Sequence, residues 1–180
     1  MSRAFVKEDS ADDADALPER PLPAHANYVT TRGLAQLQVR VRELAGTCET
    51  LRRGAVDDTD ARQQLRAAER DMRYYSAQLE RAELVTPASQ HHDSDSSDGS
   101  NESRDGIRIR FGASVAFLDE GGVEHTVRIV GDDEADAPAG YISWASPLAR
   151  ALIGARVGDA VTWRRPAGTA EIEILRVEYA

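Results

Sequence analysis

The chain has 180 residues, with 31 Asp and Glu against 22 Lys and Arg and a net charge of −9. That length allows one or two small domains, and the acidic balance excludes nucleic-acid binding by a general electrostatic footprint. Cys48 is the only cysteine, so a disulfide framework and a cysteine zinc site are both excluded.

No apolar run reaches the length of a membrane span, and the first residues, Met1-Ser2-Arg3-Ala4-Phe5-Val6-Lys7-Glu8, carry no apolar signal segment. The expectation is a cytoplasmic protein without a membrane partner. Lys7 is the only lysine, so nearly all the positive charge is arginine.

Residues 1–26 are expected to be a disordered tail. Glu8-Asp9-Ser10-Ala11-Asp12-Asp13-Ala14-Asp15 is an acidic run, and Pro18, Pro21 and Pro23 follow it. Too little apolar surface is present to offset the entropy of ordering. A solubilising role and a specific docking role both fit such a run.

Residues 27–87 read as two helices joined by a short acidic turn. Apolar residues fall at Leu34, Leu37, Val41, Leu44, Cys48, Leu51 and Ala55, in alternating steps of three and four. The pattern returns at Ala61, Leu65, Ala68, Met72, Tyr75, Leu79 and Ala82. This is the heptad seam of a coiled coil, and two such seams around a short turn predict an antiparallel hairpin. Each arm of roughly 24 residues is on the order of 35 Å long. Thr30 or Thr31 suits the first N-cap. Gly46 weakens the middle of the first arm, and Cys48 is a small apolar filler of the seam. The helix is expected to run to Val85-Thr86-Pro87.

The tip carries Asp57, Asp58 and Asp60. Aspartates there have a structural reading as caps that complement the helix dipole, and Asp60 with Gln63 resembles a capping box. They also have a chemical reading. Carboxylates are hard ligands suited to Mg²⁺, and the end of a long finger is placed to bring them into another molecule's metal site. The second arm bears Arg62, Arg66, Arg70, Arg73 and Arg81 among Glu69, Asp71, Glu80 and Glu83. A solvated, salt-bridged face and a stripe that follows a nucleic acid or an acidic groove remain alternatives.

Residues 88–105 are rich in Ser and Asp and read as a flexible linker. His91 and His92 within it lack a third rigid metal ligand.

From residue 106 the period changes to two. Ile107, Ile109 and Phe111 alternate with arginines, Val115 and Phe117 follow, and Gly121-Gly122 marks a turn. Val123, His125, Val127 and Ile129 share one face. Tyr141–Trp144, Val161–Trp163 and Ile172–Tyr179 complete a small antiparallel sheet. In the last strand the apolar phase shifts between Ile174 and Leu175, which predicts a bulge or burial on both faces. Ser146 as N-cap, Pro147 as first helical residue and Gly154 as exit predict a short helix over 147–153, with Leu148, Leu152 and Ile153 on the sheet. His125 reads as a structural or surface residue.

Residues 142–154 (ISWASPLARALIG), Arg156-Val157-Gly158-Asp159, Pro166-Ala167-Gly168 and the final Glu173–Tyr179 stretch resemble the C-terminal domain of the bacterial Gre (GreA/GreB) transcript-cleavage factors. Tyr28-Val29-Thr30 and Arg73-Tyr74-Tyr75 through Leu84-Val85 resemble the hairpin of the GreB branch, here with a shortened coiled coil. The resemblance covers residues 27–87 and 106–180. It implies an α+β chain: an N-terminal antiparallel coiled-coil hairpin, then a small antiparallel-sheet, FKBP-like domain with one short helix.

It also implies an accessory factor of transcription elongation rather than an enzyme, with the family's associated DNA-binding description. Its partner would be RNA polymerase, met at the secondary channel, with indirect contact to the RNA 3′ end. Asp57 and Asp60, with Asp58, would be contributed to the Mg²⁺ of the polymerase active site, with no stably bound cofactor and no metal site of its own. Ser146, Pro147, Leu148 and Arg150 would support docking. The family tip carries an Asp and a Glu three apart beside an Asn-Ala-Glu/Asp-Tyr segment. Here Asp57 and Asp60 stand at that spacing without either feature. Each arm is also about two turns shorter than in the cleavage factors, on the order of 10 Å of reach.

Three alternatives follow. The protein occupies the channel without stimulating cleavage, similar to regulator of nucleoside diphosphate kinase. It is a prolyl isomerase, suggested only by the FKBP-like fold, against which the sequence shows few aromatics and no apolar proline pocket. Or it is a coiled-coil adaptor that dimerises, where a self-satisfied hairpin predicts a monomer.

Overall fold

The computed structural model describes residues 17–54, 58–86 and 107–179. The acidic run, Asp57, the linker and its His91-His92 pair lie outside the described residues. The chain divides into two compact units: Met1–Pro23 with Val39–Glu80, and Ala24–Gln38 with Arg81–Ala180.

The first unit holds most of two helices, α1 (Thr31–Gly54) and α2 (Thr59–Glu80). On α1 between Val39 and Gly54, only Val41, Leu44, Cys48 and Leu51 are withdrawn from solvent, which is the expected seam. Cys48 is 1% exposed, and that burial pushes its thiol pKa up. The arms run antiparallel: Arg52 near the end of α1 meets Glu69 at 2.7 Å, while Arg40, earlier in α1, lies 5.6 Å from the ring of Tyr75, later in α2.

Two expectations for this region are corrected. The second helix stops at Glu80, before Ala82 and Val85. Strand β2 (Ala82–Leu84) instead pairs in parallel with β1 (Asn27–Val29), Asn27 opposite Ala82 and Val29 opposite Leu84. The Val85 N–H donates to the Val29 carbonyl, and the Arg81 guanidinium donates to the His25 carbonyl. Backbone groups claimed by a ladder cannot continue a helix. The tail, in turn, is not wholly without placement: Leu17–Pro23 lies along α2, with Arg20 at Asp71 and Glu19 at Arg73.

In the second unit five strands form one sheet in the order β5-β4-β3-β7-β6. They are β3 (Ala113–Leu118), β4 (Glu124–Val130), β5 (Tyr141–Ser143), β6 (Ala160–Arg165) and β7 (Gly168–Tyr179). All pairings are antiparallel except the edge pair β4–β5, which is parallel. The expected phase shift in the last strand is a bulge: Ala116 faces Arg176 and Phe117 faces Ile174, leaving Leu175 as the extra residue. It turns Ile174 and Val177 to one buried face while Leu175 and Arg176 stay exposed.

Helix α3 (Pro147–Leu152) lies against this sheet, and its buried residues are Leu148, Ala149 and Leu152. Ile153 does not face the sheet; it closes the helix and is 38% exposed. Ile109, Phe111, Val115, Phe117, Ile129, Leu152, Ile172 and Ile174 form the core. Residues 107–110 are not a strand, despite their alternation. The Ile109 N–H donates to the Ala155 carbonyl, and the Ile109 carbonyl accepts from Gly154 N–H. That anchors a fully buried Ile109 to the exit of α3 rather than to a strand.

The start of α1 is held within the second unit. Thr30 is the N-cap: its hydroxyl accepts from Gly33 N–H at 3.1 Å. Glu134, on the acidic loop after β4, accepts from the Thr30 N–H at 2.9 Å and from the Thr30 hydroxyl at 2.5 Å. A glutamate 104 residues away thus plays the part that a local capping box assigns to its fourth residue. A Cβ on Gly33 would lie 2.0 Å from the Glu134 carboxyl carbon, so only glycine admits this contact.

Candidate functional site

Asp58 and Asp60 both stand exposed at the start of α2. The Asp58 side chain accepts from the Asp60 N–H at 2.9 Å, and its carbonyl accepts from Arg62 N–H. Asp58 is therefore the N-cap, and Asp60 is in the first turn rather than at the cap the Gln63 spacing suggested. Asp60 is left with its carboxylate in solvent at a helix N-terminus, where the dipole favours the anion. Among the described residues no three His, Cys, Asp or Glu side chains converge as a metal site.

The second unit carries a different feature. An open groove of about 930 Å³ runs over the exposed half of the sheet and along the start of α3. Phe117, Val127, Ile142, Leu148 and Trp163 supply its apolar floor, with Pro138, Pro147 and Pro166 at the edges. The sequence, with few aromatics in this domain, did not reveal this apolar lining. The residues come from strands distant in sequence, and the sheet register brings them together.

Ser146, Pro147 and Leu148 line the groove, and Arg150 does not. Ser146 caps α3, its hydroxyl accepting from Ala149 N–H at 3.2 Å, and Pro147 holds the first helical position. Their structural work and their place on the groove wall coincide. One rim is basic, with Arg164 and Arg165; Arg165 lies 5.6 Å from the Trp163 ring and 3.6 Å from Glu120.

A mixed stretch of the rim is an Asp119–His125 pair at 2.9 Å, with the His125 ring stacked on Phe117 at 5.4 Å between centroids. The hydrogen bond from His125, aided by the N–H groups of Val123 and Gly121, holds the Asp119 carboxyl below its ordinary pKa. Sequence reading placed His125 in a strand but missed its partner and its groove. The visible signal was a lone histidine on the otherwise apolar face of Val123, Val127 and Ile129.

Residues 104–179 match the family described as Transcription elongation factor, GreA/GreB, C-term. Over those residues the chain carries a domain of the GreA/GreB C-terminal type. It is 42% identical over 118 residues, 66% of its length, to transcription elongation factor GreB of Neisseria meningitidis serogroup B. It is 51% identical over 75 residues to transcription elongation factor GreA of Agrobacterium fabrum, 41% of this chain. The matches span 64% of the Neisseria relative and 48% of the Agrobacterium one. Among solved structures, GreA factor homolog 1 (Gfh1) of Thermus thermophilus aligns at a TM-score of 0.38 and 23% identity, over 86% of this chain and 99% of that one. The GreA/GreB segment, residues 104–179, contains every groove residue named above. The tip lies outside the GreA/GreB match.

Proposed function

We propose that this chain is a transcription elongation factor that binds RNA polymerase at its secondary channel through the groove of its C-terminal domain. It acts there as an accessory factor, without an active site of its own. The observation that carries this reading is the GreA/GreB match over residues 104–179, the same residues that build the groove with Ser146, Pro147 and Leu148 on its wall. An apolar floor with one basic and one mixed rim suits a protein surface whose apolar residues are flanked by acids.

In the cleavage-stimulating reading, Asp60 with Asp57 is offered to the polymerase Mg²⁺, and Asp58 caps the helix start that carries Asp60. Added carboxylates would strengthen a weakly held metal and orient the attacking water near the RNA 3′ end. A second reading, channel occupancy without cleavage, draws support from Asp58, whose carboxylate is engaged in capping, and from arms of only 24 and 22 residues.

Transcript cleavage in backtracked polymerase complexes decides between them. RNA shortening that Asp57→Ala and Asp60→Ala abolish supports tip-assisted cleavage. Retained polymerase binding without shortening supports occupancy. Absence of binding removes both readings.

A further inference from the structure

We propose that the Asp71–Tyr75 stretch of α2 is a recognition surface for an arginine-bearing polyproline segment, and that Leu17–Pro23 of the same chain occupies it. Leu17-Pro18-Glu19-Arg20-Pro21-Leu22-Pro23 forms neither helix nor strand. Its three prolines fix φ near the polyproline value, so the segment loses little entropy on docking. Short extended segments of this kind are read by aromatic surfaces.

The receiving surface has that chemistry. Tyr74 and Tyr75 meet edge to face, with ring centroids 5.1 Å apart. The Arg20 guanidinium lies 3.8 Å from the Tyr74 centroid and 5.1 Å from that of Tyr75. The same guanidinium reaches Asp71 Oδ1 at 3.5 Å. A planar cation that stacks and donates at once is an arginine, not a lysine, requirement.

Beside it Glu19 accepts from Arg73 at 2.5 and 3.0 Å. The acid-base order of the segment is thus met by a base and an acid on the helix, which sets its register. Leu17 lies further towards the start of α2, beside Thr59, Arg62, Gln63 and Arg66, so the segment runs in the same direction as the helix.

Burial along α2 supports the assignment independently. From Leu65 to Leu79 only Arg73 is exposed, whereas α1 between Val39 and Gly54 shields only its seam. A helix packed along a single seam leaves its far side in water; α2 does not. The contacts that hold the strap are ion pairs and stacked cations at partial exposure, the class most weakened by salt. Occupancy is sustained because the segment is tethered, and a partner segment with the same Arg-Pro chemistry would compete for the surface.

Cleavage by glutamyl endopeptidase at the Glu19–Arg20 bond tests this in the full chain, with fragments identified by mass. The expected result is cutting at least about ten-fold slower than in a free peptide spanning residues 15–25. Asp71→Asn and Tyr74→Ala leave the cleaved sequence untouched, and each should bring the rate towards that of the peptide, as should molar salt in the parent. A parent cut as fast as the peptide overturns the proposal, and so does a slow rate that both variants retain. Circular dichroism of each variant identifies any that loses the helices, and Asp71→Asn alone then decides.

Discussion

Tyr179 ties the segment before the sheet to the end of the chain. Its hydroxyl donates to the Arg108 carbonyl at 2.7 Å and accepts from the Arg110 N–H at 2.9 Å. Burial pushes the phenol pKa up. Tyr179→Phe removes one partner from each of two backbone groups and should cost about 1 kcal/mol or somewhat more, read as a lowered unfolding midpoint in urea with unchanged slope. Asp119 gives a pH prediction. Its pKa is lowered in the folded chain, first by the His125 hydrogen bond. The associated stabilisation is therefore present above the ordinary aspartate pKa and is lost as pH falls through the depressed value. The amide signals of Gly121 and Val123, both donors to Asp119 Oδ1, should titrate with a midpoint below 3.8, the unperturbed value; a midpoint at or above it contradicts the assignment. Gly33→Ala should expel the Glu134 carboxylate from the α1 cap at a cost of about 1–2 kcal/mol, comparable with losing an N-cap. Glu134→Ala placed on top should then add little, which a double-mutant cycle checks.

At the scale of elements, spacing identified types better than ends. The α1 seam is where the periodicity put it, because a single buried stripe leaves a clear period in the sequence. The end of α2 was illegible: Ala82-Glu83-Leu84 fits a heptad as well as it fits a strand, and its ladder partner lies more than fifty residues upstream. The same holds at residues 107–110, where alternation is real but the hydrogen bonds go to residues 154–155 and to Tyr179. Gly46 provides a test of the first arm. A Cβ there meets nothing within 4 Å, so Gly46→Ala should stabilise α1 by about 1 kcal/mol. Native-state labelling of the buried Cys48 thiol reports the opening and should slow about five-fold; unchanged labelling would show that this arm does not open locally at Cys48.

For the whole molecule, the proposed function assigns two separable properties to the two compact units. Under the proposed function, Trp163→Ala removes much of the groove floor and should weaken polymerase binding about ten-fold or more, as expected for a buried aromatic anchor. Asp60→Ala should leave binding within about two-fold and affect only transcript shortening. Titrating both variants against core polymerase checks this; a loss for Asp60→Ala with none for Trp163→Ala would mean that the tip, not the groove, supplies the affinity.

What the sequence by itself determined was what is written in local period and composition: the α1 seam, the alternation of the sheet strands, the Ser146-Pro147 start and Gly154 exit of α3, the bulge at Leu175, and the family segment over residues 104–179. These depend on neighbours within a few residues, where side-chain direction follows from backbone geometry. Tertiary structure alone decided the Glu134 cap on α1, the β1–β2 pairing, the strap on α2, and the groove that joins Phe117, His125, Leu148 and Trp163. Each joins residues separated by tens of positions. Such pairings depend on chain topology and packing, which leave no periodic mark in the order of the residues.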